Sequence, residues 1–399
     1  MGYRYITLLI ILTVAFSSSV LFFPRPLSGP SHSPETHLPE PLHTKSEKMS
    51  PSRYVQESRV AIGAVRQAAS ISRQVFRESS KGTLSKDDAS PVTVADYAVQ
   101  AVITSHIHVA FPNDRIVGEE DSAMLRSQPE LVSRIWHLVS NSQAEEGARS
   151  KSQIKSSSEL LDLIDRGIDP GGPTGRIWAL DPIDGTKGFL RGGQYAICLA
   201  LIVDGETRLG VLGCPNLSPL NQALKLEDGH EQTGDAKGVL FMAIQSLGAV
   251  QEALIEDSGD TIPEPISMRR IGDPSEAIFC ESLEPTHSSQ GEQAQVVKRL
   301  GSTKQSVRMD SQAKYGSVAR GAADIYLRLP SNPKYEEMIW DHAAGDIIVR
   351  EAGGMVTNIH GKRLDFSRGR TLGAGNGVVA APATIHAQVL SAVQEVLRL

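Results

Sequence analysis

Cysteine is scarce in this chain, with three among 399 residues: Cys198, Cys214 and Cys280. The number is odd and none stands in a C-x-x-C pair, which argues against a disulfide framework and against a structural zinc site. A reducing compartment is the plain expectation. Excess positive charge is also missing. The formal net charge is −6, so nothing marks a nucleic-acid surface. A mildly acidic protein can still take anionic substrates where metals or a local Lys/Arg cluster supply positive charge. There is no internal repeat. Long apolar runs are absent except for one, Ile6 to Phe23, preceded by Arg4 and followed by Pro24-Arg25-Pro26. Its length is near the minimum for a membrane span, and it reads as a signal anchor or an uncleaved signal segment. If translation starts at Met49 instead, the chain is cytoplasmic. Residues 24–53 are rich in Pro, Ser and His and read as a disordered linker.

The rest has the composition of a globular protein, 40% hydrophobic and 22% charged, long enough for two domains. Residues 1–52 are set apart as the apolar segment and linker, 53–235 as an N-terminal α+β domain, and 236–399 as a C-terminal α/β domain. Apolar residues at Ala61, Val65, Ala68, Ile71 and Val75 have helical spacing within 54–77. Ser90-Pro91-Val92-Thr93-Val94 reads as extended, followed by a helix over 95–110. Residues 115–118 form a short strand that delivers Glu119-Glu120-Asp121. Residues 140–175 read as an irregular surface stretch around one short helix. Residues 177–180 and 196–203 are buried strands, and Asp204-Gly205 is a hairpin turn into 209–212. Later come a strand at 277–280, a helix over 292–300, and a helix over 341–352 closed by Gly353-Gly354. The sum is a layered α/β and α+β protein.

The chemistry concentrates in Trp178-Ala-Leu-Asp181-Pro-Ile-Asp184-Gly-Thr186-Lys187-Gly-Phe189. Two carboxylates stand three residues apart across a proline, directly after an apolar strand. Pro182 stiffens the segment so that both can point one way, and the carbonyl of Ile183 between them is a further oxygen donor. Carboxylate and carbonyl oxygens are hard ligands suited to Mg²⁺. Gly185 and Thr186 begin the next segment, where backbone N–H groups can face a phosphate. Asp96, Glu119 and Asp341 also stand where strands end or helices begin. Each has an ordinary reading alone: Asp96 and Asp341 as helix caps, Glu119-Glu120-Asp121 as a solvated turn, Asp184-Gly185 as a turn. Those readings do not explain why all the clusters end in acids with no basic partner nearby in sequence. Clustered carboxylates repel and call for a cation.

Three separated motifs carry a family resemblance. Asp181-Pro-Ile-Asp-Gly-Thr186, Ile116-Val-Gly-Glu-Glu-Asp121, and Ile339-Trp-Asp-His-Ala-Ala-Gly-Asp346 with Glu351-Ala-Gly-Gly354 resemble the lithium-sensitive, magnesium-dependent phosphatases of the inositol monophosphatase superfamily. The resemblance spans about residues 53–395. Thr186-Lys-Gly-Phe-Leu-Arg191, Ser90-Pro-Val-Thr-Val-Ala-Asp96-Tyr, Gly213-Cys-Pro-Asn216, Asp310-Ser-Gln-Ala-Lys-Tyr315 and Asp324-Ile-Tyr-Leu-Arg-Leu-Pro330 are similar to the fungal 3'(2'),5'-bisphosphate nucleotidase branch.

The resemblance implies a layered α/β/α/β/α sandwich with a metal site between two halves and two or three Mg²⁺ ions. Glu119, Asp181 and the Ile183 carbonyl would hold one ion, and Asp181, Asp184 and Asp341 a second. A third would sit more loosely near Glu119. Asp96 and Thr186 would orient and deprotonate the attacking water. His287, Ser311, Lys314 and Arg328, with Thr186 and Asp341, would contact the nucleotide. A second phosphate away from the metals needs cationic donors, which Lys and Arg supply. The implied reaction is hydrolysis of adenosine 3',5'-bisphosphate, and of 3'-phosphoadenylyl sulfate, by a monomer inhibited by lithium and sodium. The implied setting is sulfate assimilation, methionine synthesis and salt tolerance. An inositol mono- or 1,4-bisphosphate phosphatase would share every metal ligand and differ at the substrate side. An inactive nucleotide- or ion-binding protein would not need Asp96 and Thr186 together.

Overall fold

The computed structural model describes residues 53–78, 81–86, 91–146, 153–218, 226–227, 230–231, 238–255, 262–284, 288–332 and 334–399. The apolar segment 6–23, the linker up to residue 52, and His287 lie outside the described residues.

Helix α1 (Val55–Arg77) buries Ala61, Val65, Ala68, Ile71 and Val75 on one stripe, as the spacing predicts. A two-stranded ribbon, β1 (Leu84–Ser85) and β2 (Pro91–Val92), leads into α2 (Val94–Ala110). Strand β3 (Arg115–Gly118) follows. Helix α3 (Pro129–Glu146) takes in part of the stretch expected to be irregular, and α4 (Ser157–Asp165) is the short helix within it. Next come β4 (Arg176–Asp184), α5 (Thr186–Arg191), β5 (Ala196–Val203) and β6 (Glu206–Cys214). Asp204 and Gly205 both have left-handed φ, 52° and 77°. That is the hairpin geometry their sequence suggests.

Short β7 (Leu226–Glu227) and β8 (His230–Glu231) precede β9 (Val239–Ile244), β10 (Gly248–Ala253) and β11 (Glu264–Ile266). Then follow β12 (Phe279–Glu281), α6 (Gln290–Leu300), β13 (Val307–Arg308), α7 (Ala313–Ala319) and β14 (Ile325–Arg328). The chain ends with β15 (Glu336–Met338), α8 (Ala343–Glu351), β16 (Gly354–Thr357), β17 (Thr371–Ala374), β18 (Val378–Pro382) and α9 (His386–Leu397).

Two seven-stranded sheets organise these elements. The first has the order β11-β10-β9-β6-β5-β4-β3 and the second β16-β18-β14-β12-β13-β8-β7. In the first sheet only β3 and β4 run parallel. Strands β9 to β11 complete it, so the division expected at 235/236 runs ahead of three of its strands.

Three apolar cores separate the layers. One lies between α1, α2 and the first sheet. The second fills the space between the sheets, around α7 and α8. The third lies between the second sheet, α6 and α9. Strand β5 shows why its sequence is apolar throughout. Ile197, Leu199 and Leu201 enter the first core, while Ala196, Cys198, Ala200 and Ile202 enter the second. A strand covered on both faces has no polar side to alternate.

The result is an α/β/α/β/α sandwich, as the resemblance implies. All three cysteines are buried and none forms a disulfide. No helix among the described residues is long and apolar enough to cross a membrane.

Candidate metal and phosphate site

Strand β4 carries the central pair. Its pairing with β5 matches Asp181 to Cys198 and Asp184 to Ala196, so three steps on β4 oppose two on β5. This is a bulge. In a regular strand residues three apart face opposite sides; the extra residue at Pro182 and Ile183 undoes that alternation. Proline fits there because a bulge leaves a backbone group outside the ladder. Past the strand, Gly185 takes a left-handed φ of 84°. A Cβ there would lie 3.1 Å from the Ser311 Cβ, so the turn and the 310–313 loop approach closely. That loop seats on Asp184: the Gln312 N–H donates to Asp184 Oδ2 at 2.6 Å.

Glu119 leaves β3 with its N–H donating to the Leu180 carbonyl at 3.1 Å, which places it beside Asp181. Asp341 ends a 3₁₀ turn, Ile339–Asp341, ahead of α8 and caps no helix with its side chain. Asp96 is not itself the cap of α2, which is Thr93. It is the third residue of α2 and completes a capping box with Thr93, accepting from Thr93 N–H at 2.8 Å and from the Thr93 hydroxyl at 2.6 Å, both on Oδ2. Its Oδ1 is buried with no hydrogen-bond partner, and so is Asp181 Oδ1.

These carboxylates share one field. Burial and the charges of Glu119, Asp184 and Asp341 push the Asp181 carboxyl well above its usual range. Burial and Asp341 push Asp184 up to about 7, against the pull of Lys314, the Gln312 N–H and Arg328. Burial pushes Asp96 up to about 7, with Glu119 adding to it and the Thr93 hydrogen bonds opposing it. Asp341 is raised by burial, with Arg328 and His342 opposing. A buried acid group of this kind binds protons or cations when ionised.

The basic partners that the sequence does not place nearby come from elsewhere in the fold. Lys86 Nζ lies 2.7 Å from Glu119 Oε1 and 2.6 Å from Glu120 Oε1. Burial disfavours that ammonium, but the two carboxylates outweigh it and raise its pKa. Arg328 reaches Asp341 at 3.4 Å. Lys314 is buried beneath the site, its Nζ donating to the Ser311 carbonyl at 2.9 Å and resting over the Tyr326 ring. Burial holds its pKa below the ordinary lysine value, against the pull of Asp184. Ser311 is buried with a left-handed φ of 69°. Thr186 donates its hydroxyl to the Ile183 carbonyl at 3.1 Å. Lys187 and Arg191, farther along α5, turn to the carboxylates of Glu284 and Asp310.

A cleft of about 280 Å³ opens beside Asp341, with Arg328, Tyr335, Glu337 and Asn376 among its lining residues. Glu337, Asp341 and His342 bring ligand-type atoms within 4.8 Å of one another. Those atoms are already paired. Glu337 Oε2 lies 2.7 Å from Arg328 Nε and 3.2 Å from His342 Nε2, and His342 Nδ1 lies 2.8 Å from the Tyr315 hydroxyl. The tautomer that satisfies this chain carries its proton on Nε2 and accepts from Tyr315 on Nδ1. No imidazole lone pair is then left for a metal. Burial would raise the Glu337 carboxyl, but the charge of Arg328 and the His342 contact hold it below its usual value.

Sequence reasoning missed Lys86, Gln312, Glu337 and Arg370. Gln312 Nε2 donates to the Trp340 carbonyl at 2.7 Å, and its Oε1 accepts from the Gly345 N–H at 3.0 Å. With its backbone on Asp184, it ties the β4 end to the Asp341 turn. Arg370 donates to the Gly118 and Gly167 carbonyls and stacks on Trp340, linking the segments that carry Glu119 and Asp341. Only Gln312 lay within a quoted motif, between Ser311 and Lys314.

The Inositol monophosphatase family profile matches residues 54–398. A protein of Emericella nidulans named 3'(2'),5'-bisphosphate nucleotidase is 51% identical over 352 residues, 87% of this chain and 99% of that protein. A protein of the same name from Schizosaccharomyces pombe is 45% identical, covering 84% of this chain and 94% of its own length. Among solved structures, an inositol monophosphatase of Thermotoga maritima superposes with a TM-score of 0.53 at 21% identity. It covers 86% of this chain and 98% of its own.

Proposed function

The chain belongs to the inositol monophosphatase family, and from that membership we propose that it is a Mg²⁺-dependent 3'(2'),5'-bisphosphate nucleotidase. It would hydrolyse adenosine 3',5'-bisphosphate to AMP and phosphate, and 3'-phosphoadenylyl sulfate to adenylyl sulfate. Its place would then be the clearance of the by-product of sulfate activation, with the expected link to methionine synthesis and salt tolerance. The observation that carries the reading is the 51% identity to a protein of that name, spread over nearly all of both chains.

The side chains fit the metal that the family implies. The buried Oδ1 atoms of Asp181 and Asp96 have no protein partner, and the donors around them are hard oxygens. Glu119, Asp181 and the Ile183 carbonyl would hold one ion, and Asp181, Asp184 and Asp341 another. Bound Mg²⁺ supplies charge to the phosphoryl oxygens and acidifies water.

The protein's own groups do the rest. Asp96 is oriented by Thr93 through Oδ2, which leaves Oδ1 to accept the proton of the attacking water. The Thr186 hydroxyl donates a hydrogen bond to the Ile183 carbonyl, so its oxygen is free to accept one from the same water and fix its direction. Arg328 faces the cleft and serves the second phosphate. Lys314 supports it with charge from below rather than by contact, and Ser311 borders the turn at Gly185. Hydrolysis then proceeds by direct in-line attack of water.

The test is phosphate release by the full chain with Mg²⁺, comparing adenosine 3',5'-bisphosphate with inositol 1-phosphate, each with and without lithium. Lithium-suppressed release from the nucleotide is the expected result. Preference for the inositol ester would leave the family standing and overturn the roles given to Ser311, Lys314 and Arg328.

A further inference from the structure

Two carboxylates hold Arg328. Its Nε lies 2.7 Å from Glu337 Oε2, and a terminal nitrogen lies 3.4 Å from Asp341 Oδ2. Asp341 is one of the carboxylates proposed for the metal. The Glu337 and Asp341 carboxylates lie within 4.8 Å of each other, and Glu337 makes the shorter contact to Arg328. It is itself held from behind by His342, whose far nitrogen meets the Tyr315 hydroxyl. Glu337, His342 and Tyr315 are all buried, so the chain anchors in the core between the sheets. The Nε–H of Arg328 is not aimed at a hydrogen-bond acceptor. The Glu337 contact therefore acts through charge more than through direction, and charge is what a substitution must keep.

We propose that Glu337 is a positioning residue that fixes the Arg328 guanidinium at the wall of the cleft. The cation can then meet the second phosphate of the substrate from a set place. The inference rests on the nucleotidase reading and adds a residue to it. Glu337 touches neither the reacting phosphate nor the proposed metals; it acts through Arg328.

The experiment uses the full chain as wild type, Glu337→Gln and Glu337→Asp. KM and kcat are measured for adenosine 3',5'-bisphosphate and for adenosine 3'-phosphate, which lacks the second phosphate. The Mg²⁺ concentration that half-saturates the rise in melting temperature is measured without substrate. The uncharged isostere should raise KM for the bisphosphate about tenfold or more, as loss of one member of a buried charge pair does. Its kcat and its KM for the monophosphate should change by less than about threefold. Its Mg²⁺ midpoint should change by less than about threefold, because the contact of Arg328 with Asp341 is already present in the wild type. Glu337→Asp should recover part of the KM effect, and it decides the question if Glu337→Gln does not fold. Equal KM changes for the two substrates, an unchanged KM, or a Mg²⁺ midpoint that moves as far as KM would overturn the inference and leave the nucleotidase reading intact. A wild type indifferent to the second phosphate would overturn both.

Discussion

Asp184 sits where every kind of partner meets it: a backbone N–H from Gln312, the charges of Lys314 and Arg328, and the opposing charge of Asp341. Removing its carboxylate leaves the cations beside it and takes a ligand from the proposed second ion. Even partners outside the ligand shell cost about 10–100-fold when lost from metal sites. Asp184→Ala should therefore lower kcat by at least about a hundredfold, with the melting temperature in the absence of Mg²⁺ largely kept; steady-state phosphate release checks it. In the proposed reading Arg328 would contribute to binding before and during the reaction alike. Arg328→Ala should raise KM for adenosine 3',5'-bisphosphate and leave kcat within about threefold. A fall in kcat at constant KM would show that Arg328 does not hold the ground-state substrate.

Local elements aim these residues. The bulge in β4 lets Asp181 and Asp184 escape strict alternation, and the capping box of α2 fixes Asp96. Thr93 has a double burden there, since it caps the helix and holds the Asp96 carboxylate through Oδ2. Thr93→Ala should cost about 1 kcal/mol of stability as a lost cap. It should also lower kcat by more than that loss of folded protein explains, because Asp96 is no longer oriented. Urea unfolding beside kcat measurement separates the two effects, and Thr93→Ser should restore both. Close approach matters in the same way at Gly345 in α8. A Cβ there would lie 2.2 Å from the Tyr315 ring, so only glycine lets α8 pack this close to α7, with His342 at its start meeting Tyr315 and Glu337.

For the whole molecule, the buried acids link stability to pH and to metal. Asp96 and Asp184 have an ordinary value of 3.8 and rise to about 7 in the folded protein. Between those values the metal-free native state binds more protons than the unfolded chain, so stability falls as pH rises. Metal-free protein should therefore melt lower at about pH 8 than at about pH 5 as far as these groups decide it. Mg²⁺ binds the ionised form and should raise the melting temperature more at the higher pH. Thermal melts with chelator and with Mg²⁺ at both pH values test this. A metal effect that shrinks as pH rises would contradict a cluster that is protonated when empty.

Local patterning alone determined a good deal of this protein. The helical stripe from Ala61 to Val75, the Asp204-Gly205 hairpin, the doubly buried run of β5 and the acids at element ends all depend on neighbours in the chain, and periodicity and turn chemistry report those. Their order and spacing identified the family. What the line of residues could not disclose is what distant segments bring to each acid. Lys86 reaches Glu119 across 33 residues, Gln312 reaches Asp184 across 128, and Arg370 reaches Gly118 across 252. The basic partners of the acids are not their neighbours along the chain, and Lys86 and Arg328 come to them in space. The path through Glu337, His342 and Tyr315 exists only because α7, α8 and the β15 segment pack in one core between two sheets. Periodicity records which face of an element is buried. Which charge is then set against which is decided by layer packing, where desolvation makes each such pairing count.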